Sequence, residues 1–196
     1  MTDIRGHLLL LMAPSGSGKK MMLDGLGALA NELYLAKTYT SRARREDAEE
    51  NPKYVFISRE EFEQMIADDA LVEWADFSDN LYGTAKADVL EALQEPQVVY
   101  KEMELQGVLQ MKKIVPEENM TVVYIDAGSW EDLEERILAR AAISEEHLRL
   151  RKERYMEESK FKDGADLVVM NRNGEAETAQ AEFRSIVGDI IKNVTT

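Results

Sequence analysis

The stretch Leu8–Met22, LLLLMAPSGSGKKMM, decides how the rest of the chain is read. An uncharged apolar run leads into Ala13, Pro14, Ser15, Gly16, Ser17, Gly18 and Lys19, a turn of small residues that ends in a cation. This is the layout of a strand, a phosphate-binding loop and a helix. Small residues let backbone N–H groups approach an anion closely, and the lysine adds a mobile point charge for the outer phosphates. N–H groups at the start of the following helix face the same anion. The strict pattern is broken at Ala13, where a glycine is usual, and at Lys20, where a Ser or Thr normally holds magnesium.

Working outward, Lys20 to Leu35 carries Met22, Leu23, Leu26, Leu29 and Leu33 at helical spacing and is expected to form one amphipathic helix. Core strands are expected at His7–Met12, Leu35–Thr40, Gln97–Met103, Thr121–Ala127 and Asp166–Met170. Their alternation with helical patterns implies a parallel sheet covered by helices. Between the second and third core strands the texture changes. Tyr54–Ile57 and Leu71–Phe77 read as short strands around a helix, Ser58–Asp68, in which Ser58 and Glu61 have the spacing of a capping box. Ser129 and Ser144 each open a later helix, the second of them highly charged.

Composition narrows the chemistry. The 196 residues are 44% hydrophobic and 32% charged, which is a globular composition long enough to bury a real core. Leu8–Ala13 is too short to span a bilayer and Met1–His7 is not a signal-peptide lead, so no membrane partner and a cytoplasmic location are expected. The absence of cysteine excludes disulfides, thiolate metal sites and a cysteine nucleophile. With only His7 and His147, a histidine zinc site or a Ser-His-Asp triad is not expected. A net charge of −14 opposes general nucleic-acid binding, so an anionic ligand needs a local basic pocket.

The segments TSRARRE, YVFISREEFEQMI, LVEWADFSDNLYGT and KEMELQG follow one another in the order and spacing of the guanylate kinases, and the chain from about Gly6 to Val187 resembles that family. Alanine also occurs at the first loop position there. The resemblance implies an α/β P-loop three-layer fold with a central parallel sheet. A small inserted α+β lobe for GMP would lie over about 38–84, within a core of 1–37 and 85–196, and a helical lid over about 138–155. It implies ATP as phosphoryl donor, GMP as acceptor and magnesium as the accompanying ion.

Residue by residue, the resemblance gives the ATP phosphates to Ala13–Lys20, with Asn171 near the adenine. Arg42, Arg45, Tyr54 and Tyr82 fall where the family grips the monophosphate, and guanidinium forks with phenol donors suit a dianion. Glu73 stands where a carboxylate reads the guanine edge. Guanine offers N1–H and N2–H side by side, and an ionised carboxylate accepts both. Thr38 and Thr84 take positions that contact the base, and Glu102 and Glu104 complete the GMP set. Lys19, Arg136, Arg140 and Arg151 match the catalytic and lid cations, whose work in phosphoryl transfer is positioning and charge neutralisation.

The departures from the family concern the metal. Lys20 replaces a magnesium-binding hydroxyl, and Glu104 replaces an aspartate after the third core strand, whereas magnesium demands near-ideal octahedral geometry. No direct protein ligand is therefore assigned. Three readings of Lys20 stand: it points away or pairs with Glu102 or Glu104, leaving a metal-weak kinase; it supplies part of the metal's charge; or the chain is a kinase-like nucleotide-binding or protein-interaction module with little turnover.

Overall fold

The computed structural model describes residues 3–44, 53–77, 79–140 and 143–195. Along the chain run β1 (His7–Met12), α1 (Lys19–Gly25), a 3₁₀ segment (Gly27–Glu32), β2 (Leu33–Leu35), β3 (Thr38–Thr40), β4 (Tyr54–Phe56), α2 (Arg59–Ala67), β5 (Leu71–Phe77) and β6 (Asn80–Ala85). They are followed by α3 (Lys86–Ala92), β7 (Val98–Glu102), α4 (Leu105–Ile114), β8 (Met120–Asp126), α5 (Trp130–Arg140), α6 (Glu145–Glu158), β9 (Leu167–Met170) and α7 (Ala176–Thr195).

Five strands form a parallel sheet in the order β2-β7-β1-β8-β9. Its central strand reads as an unbroken apolar run because both faces are covered. Leu8, Leu10 and Met12 pack with Val89 of α3, Leu93 at its end, and Val108 and Met111 of α4. Leu9 and Leu11 face the other way, onto Met22 of α1 and Phe183 and Val187 of α7. Strand parity thus splits one hydrophobic segment between two cores, and three layers result.

A second sheet, ordered β4-β3-β6-β5, mixes one parallel with two antiparallel pairings. Helix α2 covers one face, packing Phe62 against Leu71, Leu81 and Ala85. The capping box forms: Glu61 N–H donates to Ser58 Oγ at 3.1 Å, and Ser58 N–H to Glu61 Oε2 at 2.7 Å. Ser129 and Ser144 accept from the Asp132 and His147 N–H groups at 3.2 and 3.3 Å, opening α5 and α6.

Two sequence expectations fail. The helix expected over Lys20–Leu35 stops at Gly25, because Gly27 turns into the left-handed region (φ 59°) and the chain continues as a 3₁₀ segment and then a strand. The single strand expected over Leu35–Thr40 is two strands in two sheets, broken at Ala36-Lys37. Ala36 N–H donates to Tyr100 O at 3.0 Å while Thr38 N–H donates to Lys53 O at 2.8 Å, so N–H groups two residues apart belong to different neighbours. Among the described residues no helix is long and apolar enough to cross a membrane.

Candidate active site

The loop after β1 is held from behind by buried polar groups. Ser17 is fully buried, and its N–H and hydroxyl both donate to Pro14 O, at 3.1 and 2.8 Å. The Asn171 side-chain amide, only 3% exposed, donates to Ser17 O at 2.7 Å. Gly16 and Gly18 both take positive φ, 96° and 100°. Asn171 therefore acts here as a brace for the loop rather than as an exposed contact. Lys19 Nζ folds back to Ala13 O at 2.5 Å. Burial lowers the pKa of its ammonium, while the charges of Glu102, Glu158 and Glu104 work the other way.

Lys20 does not enter this centre. Its ammonium pairs with Asp24 at 2.5 Å on the outer side of α1, and its side chain is 81% exposed. Of the alternatives for this residue the structure has the one that points away, and neither Glu102 nor Glu104 is its partner. Arg151 reaches from α6 to Ser15 Oγ at 2.9 Å. Arg136 donates to Asn171 O at 2.7 Å and Asn173 Oδ1 at 2.6 Å, which ties it to the end of β9. The Arg140 side chain and all of Arg45 lie outside the described residues.

Facing the loop, a cavity of about 810 Å³ is lined by Lys19, Thr38, Glu73, Tyr82, Glu102 and Glu104, together with residues of α6. The second sheet supplies its polar wall. Thr84 on β6 pairs with Glu73 on β5, and the β3–β6 register, Tyr39 with Gly83 and Thr40 with Tyr82, brings Thr38 level with Thr84. Opposed residues of an antiparallel pair share a face, so Thr38, Thr84 and Glu73 form one row across three strands.

Glu73 joins that row because of a local irregularity. Leu71 pairs with Ala85 on the face covered by α2, and unbroken alternation would put Glu73 on that face too. The register shifts between Leu71 and Glu73, and the extra residue turns the carboxylate toward the cavity. There Glu73 Oε1 accepts from Thr84 Oγ1 at 3.2 Å. A Cβ at Gly107 would lie 2.9 Å from Glu73 Oε2, so α4 can approach only because that residue has no side chain. Burial raises the Glu73 pKa, partly offset by the Lys101 charge and the Thr84 hydrogen bond.

At the far edge Arg42 stacks its guanidinium over Tyr54 and Phe56, 5.7 and 5.8 Å from the ring centroids. Its N–H donates to Thr40 Oγ1 at 3.1 Å, but its buried Nε has no hydrogen-bond partner among the described residues. Tyr54 lines a smaller cavity of about 310 Å³ with Thr38, Lys101 and Glu102, which shares Thr38 and Glu102 with the one that Tyr82 lines.

Two residues escaped the sequence reading. Lys101 interrupts the apolar texture of β7, a signal that was present but unused. Glu158, the last residue of α6, lines the large cavity, where burial pushes its pKa up to about 7, with Lys19 opposing and Glu104 adding to the rise. It lies beyond the expected lid, at the end of a helix with no buried residue.

The residues present do not make a magnesium site of their own. Among the described residues no three His, Asp or Glu side chains converge, and the hydroxyl position of the loop is occupied by an outward-turned lysine. An ion here would be held by nucleotide phosphates and water, a common arrangement for magnesium.

A parallel α/β core with a phosphate loop at the end of β1, facing a separate polar lobe across one cavity, defines a P-loop kinase of a small phosphorylated acceptor. The chain belongs to the guanylate kinase family, whose model matches residues 5–188, and is an ATP-dependent nucleoside monophosphate kinase. It is 35% identical over 178 residues to a guanylate kinase of Synechococcus sp. (strain JA-3-3Ab), covering 91% of this chain and 81% of that one. With a guanylate kinase of Trichormus variabilis identity is 36% over 171 residues, covering 87% and 85%. The crystal structure of guanylate kinase from Anaplasma phagocytophilum shares the fold at a TM-score of 0.65 and 21% identity, over 96% of this chain and 88% of that one.

Proposed function

We propose that this chain transfers the γ-phosphoryl group of ATP to GMP, giving ADP and GDP. The observation that carries this reading is the row Thr38–Thr84–Glu73 across the cavity from Lys19. Glu73 accepts the adjacent N1–H and N2–H of guanine, a pair of donors that adenine does not present. Arg42, Arg45, Tyr54 and Tyr82 hold the GMP phosphate, and Arg42 Nε, which has no hydrogen-bond partner among the described residues, is a donor in want of an acceptor. Lys19 exchanges its carbonyl contacts for ATP phosphate oxygens, and the loop amides orient the same groups. Arg151, already on the loop, closes α6 over the transferring phosphoryl, with Arg140 on the adjoining helix; Arg136 and Asn171 keep the loop's shape. Magnesium, held by the ATP phosphates and water, would supply charge neutralisation there.

A coupled assay of ADP release with ATP, magnesium and GMP, beside AMP and a no-acceptor control, tests the reading. Release that depends on GMP is expected. Binding of GMP by calorimetry without any release would instead make the chain a nucleotide-binding relative, and the loss of turnover would then be sought around Lys20.

A further inference from the structure

Lys101 is the fourth of the five residues of β7, a strand of the central sheet, and is 7% exposed. A buried ammonium is costly unless each of its protons finds an acceptor. This one has three: Ala36 O at 3.2 Å, Lys37 O at 3.0 Å and Thr38 Oγ1 at 2.7 Å. An ammonium donates three hydrogen bonds and accepts none. Thr38 Oγ1 therefore accepts a hydrogen bond from Lys101, and the Thr38 hydroxyl must donate its own hydrogen elsewhere. Thr38 also lines the cavity that holds Glu73.

Thr84, the other hydroxyl of the row, already donates to Glu73. With guanine N1–H and N2–H directed to Glu73, the neighbouring group on that edge is the 6-oxo oxygen, an acceptor. Adenine carries an amino donor at the same place. We propose that Lys101 is a positioning residue that sets the hydrogen-bond sense of Thr38, making its hydroxyl a donor to the base and thereby favouring 6-oxo over 6-amino purine monophosphates. This inference rests on the cavity being the guanine site.

The charge state of Lys101 enters the same geometry. It is faced by Glu73 from β5, Glu102 on its own strand, Asp88 from α3 and Lys53 ahead of β4; the three carboxylates favour the ammonium and Lys53 opposes it. Burial outweighs them and brings its pKa down to about 8. A neutral amine keeps two N–H groups for the two carbonyls and turns a lone pair to Thr38. The Thr38 hydroxyl then donates to the amine and presents a lone pair to the ligand, the reverse of what a 6-oxo group needs.

The test compares GMP with 6-thio-GMP, which keeps both donors read by Glu73 and replaces the 6-oxo oxygen by sulfur, a weaker acceptor. At pH 7, Lys101→Met is expected to raise KM for GMP about tenfold, as for loss of one buried hydrogen bond, and KM for 6-thio-GMP by less than about twofold. KM values that rise together, or do not move, overturn the proposal.

The wild-type protein gives an independent measurement if that variant does not fold. KM for GMP is expected to rise about tenfold through pH 8 in the wild type and to stay flat over that interval in Thr38→Val, the ionisation of GMP itself being common to both. Parallel profiles would also overturn it. If the wild type neither binds nor uses GMP, the assignment of the cavity fails, and that result is distinct from either profile.

Discussion

The phosphate loop and the polar row face each other across one cavity, yet they are made of different material. The loop presents backbone, and its shape is kept by side chains behind it, the buried Ser17 and Asn171. The row presents side-chain termini: Thr84 donates to Glu73 within it, and Lys101 stands behind Thr38 and sets the sense of its hydroxyl. A backbone surface is indifferent to a substitution whose side chain points away, which is how Lys20 can depart from the family pattern and end on Asp24. A surface of side-chain termini has no such tolerance, because changing one atom reverses what is recognised.

The contrast is broken most severely by Lys19→Met, which removes the charge that the loop's own lysine presents to the cavity. Turnover is expected to fall about 10³-fold with KM for GMP nearly unchanged, as for loss of a preorganised charge in the transition state; an equal loss of GMP binding would mean that the two sides are not separate. Next comes Glu73→Gln, which sets an amide donor against a guanine donor. Here kcat/KM for GMP should drop about 10²-fold while KM for ATP holds.

Acidification probes the same carboxylate without mutation. Because burial raises the Glu73 pKa, protonation begins at a higher pH than for an exposed glutamate. A protonated carboxyl is a mismatched donor, so GMP affinity is present above that raised pKa and is lost as pH falls through it. Calorimetric titration of GMP across the acid range would show this, and an onset at the ordinary glutamate range would contradict the burial argument.

The smallest effect belongs to Lys20→Ser. Its exposed pair with Asp24 stabilises the fold by no more than about 0.5 kcal/mol. The rate at saturating magnesium should stay within about threefold of wild type, with half-saturation moving to lower magnesium concentration. A large gain at saturation would show that Lys20 disturbs the loop after all.

Much of the frame could be read from the sequence because both faces of the main sheet are buried, and strands such as Leu8–Met12 carry that burial as an apolar run. The Ser58–Glu61 box was legible for a local reason, since cap and partner lie one turn apart. The failures were set by distant contacts or local backbone turns. The break at Ala36-Lys37 depends on Tyr100 and Lys53, far along the chain, while Gly27 ended a helix whose apolar spacing ran on beyond it. Glu73 could be placed as a base-reading residue by resemblance, but its facing depends on a one-residue register shift that strand patterning does not reveal. Lys101 needed all three of its acceptors in view before it meant anything.

The same three bonds have a mechanical consequence. Lys101 belongs to the rigid central sheet, whereas Ala36, Lys37 and Thr38 are the consecutive residues through which the chain first passes into the second sheet. Any swing of that sheet which keeps these bonds has its fulcrum at the ammonium. Thr38, at the fulcrum, then hardly travels, while Arg42 and Tyr54, out along the lever arm, sweep the larger arc.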